Sequence, residues 1–74
     1  KTIILTYDKL DSSFTKLNKL PIKEGLPPNG IPKQFLNTTN GYYKYVVDEN
    51  DDRDFGILIV DTTRKEICIY YQIL

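Results

Sequence analysis

Residues 55–60 read Phe-Gly-Ile-Leu-Ile-Val, a run without one polar side chain. No other feature constrains the fold as tightly. An unalternating apolar run of that length suits a central β-strand buried on both faces, so the rest of the chain must supply cover above and below it. In a chain of 74 residues that cover is scarce. A domain this small buries only about 60% of the surface its unfolded chain exposes. As a helix the run is too short to cross a membrane, which takes about 20 apolar residues.

The neighbours of this run also read as strands. Tyr42 to Val47 is rich in aromatic and β-branched types, as is the N-terminal run from Thr2 to Tyr7. The last run alternates, with Ile67, Ile69, Tyr71 and Ile73 on one face and Glu66, Cys68, Tyr70 and Gln72 on the other. Short polar turns between the last three runs favour antiparallel neighbours, so residues 42–74 read as a meander. Between the first strand and the meander the period changes. Leu10, Phe14, Leu17 and Leu20 form a stripe at helical spacing. Asp8, Asp11, Ser12 and Ser13 are candidate N-caps, and Pro21 is a stop signal. From Pro21 to Pro32 the chain holds all four of its prolines, which marks a connector with a fixed path. Pro32 is placed to open one helical turn through Leu36, carrying Phe35 and Leu36 into the core.

The expected fold is therefore α+β: a two-layer single domain over residues 1–74, with one main helix near 10–20 on a four-stranded, mainly antiparallel sheet in the order β-α-β-β-β. The strands fall near 2–7, 42–48, 55–60 and 66–73. A small, partly closed barrel plugged by the helix is the rival. The expected core is Ile3, Leu5, Phe14, Leu17, Phe35, Val46, Ile57, Ile59, Ile67 and Ile69. The first residue, Lys1, is not methionine, which reads as an excerpt or processed form of a longer chain.

Composition narrows the chemistry. The absence of histidine removes His-ligated metal sites and the Ser-His and Cys-His nucleophile pairs. One cysteine excludes an intrachain disulfide and Cys-rich zinc sites. Cys68, between two isoleucines, reads as a buried inert thiol. A net charge of zero argues against non-specific binding to nucleic acid or an acidic membrane. The charges divide, however: residues 1–34 carry six Lys against three carboxylates, and residues 35–74 carry four cations against seven. Packed as layers, the halves would give a basic and an acidic side. A surplus of Lys, Ile, Asn and Tyr with no alanine reads as an A+T bias in the coding gene.

Two features are candidate sites. In the loop Asp48-Glu49-Asn50-Asp51-Asp52-Arg53-Asp54, oxygen-bearing residues alternate at 48, 50, 52 and 54, as at the start of an EF-hand loop. Arg53 stands where glycine is needed and Ile59 where the closing Glu belongs, so a solvated hairpin tip is the plainer reading. The second feature is the tyrosines. Tyr42, Tyr43, Tyr45 and Tyr70 lie on strands expected to share a sheet, and aromatics on an open sheet face anchor protein interfaces. Asn37-Thr38-Thr39 matches a glycosylation sequon, which matters only in a eukaryotic secretory setting.

The expectation is a small soluble protein-binding module, an inhibitor, adaptor or regulatory domain. It contacts another protein through Tyr42, Tyr43, Tyr45 and Tyr70, with Asp51 and Asp52 adding charge. No catalytic residue, metal or cofactor is expected, and no membrane. The alternatives are a metal-dependent phosphodiesterase or nuclease using Asp48, Asp52 and Asp54, and a single-stranded nucleic-acid binder using the tyrosines as stacking platforms.

Overall fold

The computed structural model describes residues 1–25, 30–51 and 53–73. Pro27, Pro28 and Asn29 of the proline-rich connector lie outside the described residues, as does Asp52. The apolar run lies in the middle of an antiparallel sheet, as strand β4 (Phe55–Asp61). On one side it pairs with β5 (Glu66–Gln72) and on the other with β3 (Gly41–Val47). Beyond these lie β1 (Thr2–Thr6), against β5, and the two-residue β2 (Asn18–Lys19), against β3. The order across the sheet is β1-β5-β4-β3-β2, and among the described residues no further strand pairs with β1 or β2. The radius of gyration is 12.0 Å, near the roughly 11 Å of a compact chain of this length.

This architecture overturns the expected fold class. The sheet has five strands rather than four, and among the described residues there is no main helix. The stretch expected to be helical near 10–20 is a 3₁₀ turn, Ser12–Lys16, followed by β2. The cause is local. The Asp11 carboxylate accepts the Ser13 N–H at 2.8 Å, and the Thr15 hydroxyl donates to the Ser12 carbonyl at 2.6 Å. Short polar side chains that satisfy nearby backbone in this way compete with the α-helical ladder. Leu17 is already extended, with ψ 176°, and the next residues join the sheet. Asn18 pairs with Tyr43 and Lys19 with Tyr42, and Leu20 N–H donates to the Gly41 carbonyl at 3.1 Å. The helical spacing of Leu10, Phe14 and Leu17 survives only as three half-buried side chains. The barrel rival fails too, because β1 and β2 end on opposite edges.

The α-helix that does form is one turn, α1 (Lys33–Leu36), with Pro32 at its N-cap. Phe35 is fully buried, whereas Leu36 stays exposed. Phe35 is the centre of the cover. With Leu20 and Ile31 it packs against Tyr43, Ile57, Ile59 and Cys68 of the sheet, and Ile22, Tyr45 and Tyr70 close the margin. By strand register these sheet residues share one face: Tyr43, Ile59 and Cys68 form one row, and Tyr45, Ile57 and Tyr70 the next. The Thr2 hydroxyl donates to the Gly30 carbonyl, tying this cover to the β1 edge.

The opposite face is covered only in part. Val60 and Ile67 are buried there, at the end where Tyr7 N–H donates to the Lys65 carbonyl. Residues 7–17 lead from the β1 edge to the β2 edge and carry the half-buried Leu10, Phe14 and Leu17. Six of the ten expected core residues fall outside the core: Ile3, Phe14, Leu17 and Ile69 are only half-buried, and Leu5 and Val46 are exposed. Leu5 is 49% exposed and Val46 is 55% exposed. Both lie on the second face, away from its buried Val60 end or at its margin. Nor do the two halves of the sequence form two layers. The basic N-terminal half supplies both edge strands, and the acidic half supplies the three central ones.

Candidate functional site

The second face runs out of cover at one end. There the register aligns Val46 of β3, Gly56 of β4 and Tyr71 of β5 in a single row across the sheet. Gly56 has no side chain, so the row has tall walls and a low floor. The result is an open, mostly apolar groove of ≈ 530 Å³. Ile73 extends the apolar wall past the end of β5, and Asp48 and Asp54 border the groove from the β3–β4 loop. Val46, Val47, Tyr71 and Ile73 are all exposed. Contiguous apolar surface of this kind on a small domain marks a contact site more often than chance exposure does.

The acidic loop is organised by its own backbone. Asp48 N–H donates to the Asp54 carbonyl at 2.9 Å, and Asp54 N–H to the Asp51 carbonyl at 3.0 Å. The Asp48 carboxylate accepts the Asn50 N–H at 2.7 Å. Asp51 is gripped by Arg53, whose Nε and Nη2 donate to its two oxygens at 2.9 Å each, while the Arg53 backbone N–H adds a third bond at 3.1 Å. These bonds, the Arg53 side chain first, hold the Asp51 carboxyl below its ordinary value of 3.8. Asp51 is thus a turn anchor turned toward its own loop. Among the described residues no three His, Cys, Asp or Glu side chains gather as a metal site would require.

The four tyrosines separate. Tyr43 is 3% exposed, and its hydroxyl donates to Glu24 at 2.8 Å. That bond, with burial second, raises its pKa above the ordinary 10.0. The structure thus places Tyr43 in the core rather than on the surface. Tyr45 and Tyr70 lie on the same covered face, both half-buried, with the Phe55 ring between them at 5.8 Å from each. Tyr42 projects from the other face, half-buried, in the row of Val60 and Ile67. No common tyrosine platform exists among them. Tyr71, left out of the expected contacts, is the tyrosine that stands beside the groove. The alternation of residues 66–73 already put it on the same face as Ile73. What that alternation lacked was the knowledge of which face stays open.

A second, polar hollow of ≈ 370 Å³ lies at the opposite end, lined by Gln34, Asn37, Asn40, Thr63, Arg64 and Asp61 among others. Asp61 is 2% exposed and accepts the backbone N–H groups of Thr63 and Arg64 at 3.0 and 3.1 Å. Arg64 also reaches the Gln34 carbonyl oxygen at 3.4 Å, and Asn40 donates to the Thr63 hydroxyl at 3.3 Å. Among the described residues no buried side-chain polar atom lacks a partner. This network closes the β4–β5 turn and leaves no group aimed at a ligand. Cys68 is fully buried in the core, and burial pushes its thiol pKa up, so it is a poor nucleophile. No helix among the described residues is long and apolar enough to cross a membrane. No family model, curated protein or solved structure matches this chain.

Proposed function

We propose that the chain is a non-enzymatic protein-binding module that receives an extended segment of another protein in the groove of Val46, Gly56, Tyr71 and Ile73. The observation that carries this reading is the row Val46-Gly56-Tyr71, where two exposed side chains flank a glycine floor on an uncovered sheet face. The occupant is specified by the rim. Asp48 and Asp54 border the apolar walls, in a loop with five carboxylates and one arginine. A matching segment therefore presents apolar side chains next to lysine or arginine. Neither alternative gains a comparable observation. Stacking of single-stranded nucleic acid wants several open rings in one basic groove, and the tyrosines divide between two faces. A phosphodiesterase needs carboxylates converging on a metal; of Asp48, Asp52 and Asp54, Asp48 accepts the Asn50 N–H and Asp52 lies outside the described residues.

Selection from a random displayed-peptide library tests the reading. Enriched peptides should pair apolar residues with Lys or Arg, and Tyr71→Ala should weaken their binding by about tenfold or more. Tyr43→Phe, buried under the connector, should leave that binding unchanged. Failure to enrich any peptide, or enriched peptides that bind Tyr71→Ala and Val46→Ser variants as tightly as the parent, would overturn the proposal.

A further inference from the structure

Among the described residues no strand pairs with the outer side of β1, and the strand itself lacks the usual guards. Its backbone direction follows from its neighbours. Lys1 accepts from Tyr71 N–H through its carbonyl at 3.0 Å, and Tyr7 N–H donates to Lys65 at 3.1 Å. Odd-numbered residues thus point their backbone groups at β5, and Thr2, Ile4 and Thr6 point theirs outward. No described residue bonds to those outward N–H and C=O groups. Natural sheets protect such an edge with charge, proline, a bulge or brevity. On the other side of this sheet β2 is two residues long and contains Lys19, with Pro21 just after it. Between Thr2 and Thr6 the β1 edge has none of these, and Ile4 and Leu5 are 45% and 49% exposed.

The sequence of β1 is also nearly its own reverse: Thr-Ile-Ile-Leu-Thr. We propose that β1 pairs antiparallel with β1 of a second copy of this chain, about a twofold axis through Ile4, so that the two sheets become one. The register follows from parity. Outward-pointing residues must face each other, which sets Thr2 opposite Thr6 of the second copy, Ile4 opposite Ile4, and Thr6 opposite Thr2. Each facing pair exchanges two backbone hydrogen bonds. On the covered face threonine meets threonine and isoleucine meets isoleucine, and on the other face Ile3 meets Leu5. Every contact in the pairing is between like chemistries, and both exposed apolar side chains of the edge gain a neighbour. At the strand ends the cation of Lys1 falls beside the segment carrying Asp8 of the second copy, so the charge pattern agrees with the same register. An interface of this kind is isologous and closes at two copies. It uses no residue of the groove and stands or falls independently of the peptide-binding reading.

Ile4 sits on the axis, so Ile4→Lys places two like charges opposite each other while altering a half-exposed side chain. Sedimentation of the parent chain over a concentration series up to about 1 mM should show a monomer–dimer equilibrium. Ile4→Lys should be monomeric with an unchanged circular dichroism spectrum, and Val47→Lys, near the other edge, should dimerise like the parent. Amide exchange of the parent gives a second readout that needs no variant. Protection of Thr2, Ile4 and Thr6 N–H should rise with concentration, whereas that of Ile3 and Leu5 should not. A parent that is monomeric throughout, a folded Ile4→Lys that still dimerises, or exchange at Ile4 independent of concentration would each overturn the proposal. A dimer lost in Val47→Lys but kept in Ile4→Lys would move the interface to the opposite edge and overturn it too.

Discussion

The two faces of the central sheet start from the same material and end differently. Ile57 and Ile59 point to one face of β4, and Gly56, Leu58 and Val60 to the other. The first face is sealed by a connector that lays Leu20, Ile31 and Phe35 across it. The second buries Val60 and Ile67 at one end and is left bare at its Val46–Tyr71 end. Apolar sequence alone does not distinguish the two. Cover is decided by how many apolar side chains the connecting segments can spare, and in so small a chain there are enough for one face. The uncovered end becomes a broad apolar surface with a recess, which is why it carries the functional reading.

The most severe way to break this comparison is to remove the seal. Phe35→Ala empties the centre of the covered face and should cost about 3–5 kcal/mol of stability in urea unfolding. Val46→Ala on the open face should cost less than about 1 kcal/mol. Equal losses would mean that the faces are not differently covered. The glycines offer a sharper pair. Gly41 has φ 142°, and a Cβ there would stand 1.8 Å from the Val60 carbonyl oxygen. Gly41→Ala should therefore destabilise by something on the order of 2 kcal/mol. At Gly56 the nearest atom to an added Cβ is 3.7 Å away, so Gly56→Ala should melt within a few degrees of the parent while raising the groove floor and weakening peptide binding.

Tyr43→Phe probes a hydroxyl on the sealed face that donates to Glu24 and accepts the Lys23 N–H at 3.5 Å. It removes the hydroxyl that Glu24 accepts, and thermal unfolding should show a loss of about 1 kcal/mol. The smallest effect belongs to the loop beside the open face. Asp51 is held below its ordinary value of 3.8 in the folded chain. Its contribution is present in full above that value and is lost as pH falls below it, through the depressed folded value. Melts taken from about pH 6 down to about pH 2 should show the parent's advantage over Asp51→Asn shrinking below pH 3.8. A constant difference across that range would mean that Arg53 does not grip Asp51 in solution.

Much of the sheet was legible because its signals are local. The runs at 2–7, 42–48, 55–60 and 66–73 each coincide with a strand to within a residue or so, since β-branched and aromatic composition and turn residues act over a few positions. The helix was misread for the opposite reason. A stripe at i, i+4 and i+7 is permissive rather than decisive. The polar residues between Leu10 and Leu17 satisfied their own backbone instead, and Tyr42 and Tyr43 offered Asn18 and Lys19 a strand partner that lies far along the chain. The candidate site was legible only in part. The tyrosines and the acidic loop lie on or beside the strands that line the groove, but Val46 reads from the sequence as core and Tyr71 is not among the expected contacts.

By itself the sequence determined the alternation of each strand, the turns between the last three, the central place of the 55–60 run in the sheet, and the absence of histidine chemistry. These follow from side-chain types and spacings within a few residues of one another. Only the tertiary structure decided that the connector crosses one face and not the other. It also decided that Tyr43 is core and Tyr71 is surface, and that Thr2–Thr6 is an unguarded edge. Each of these depends on which distant segment arrives as a neighbour, and a residue's exposure is a property of that neighbour as much as of its own side chain.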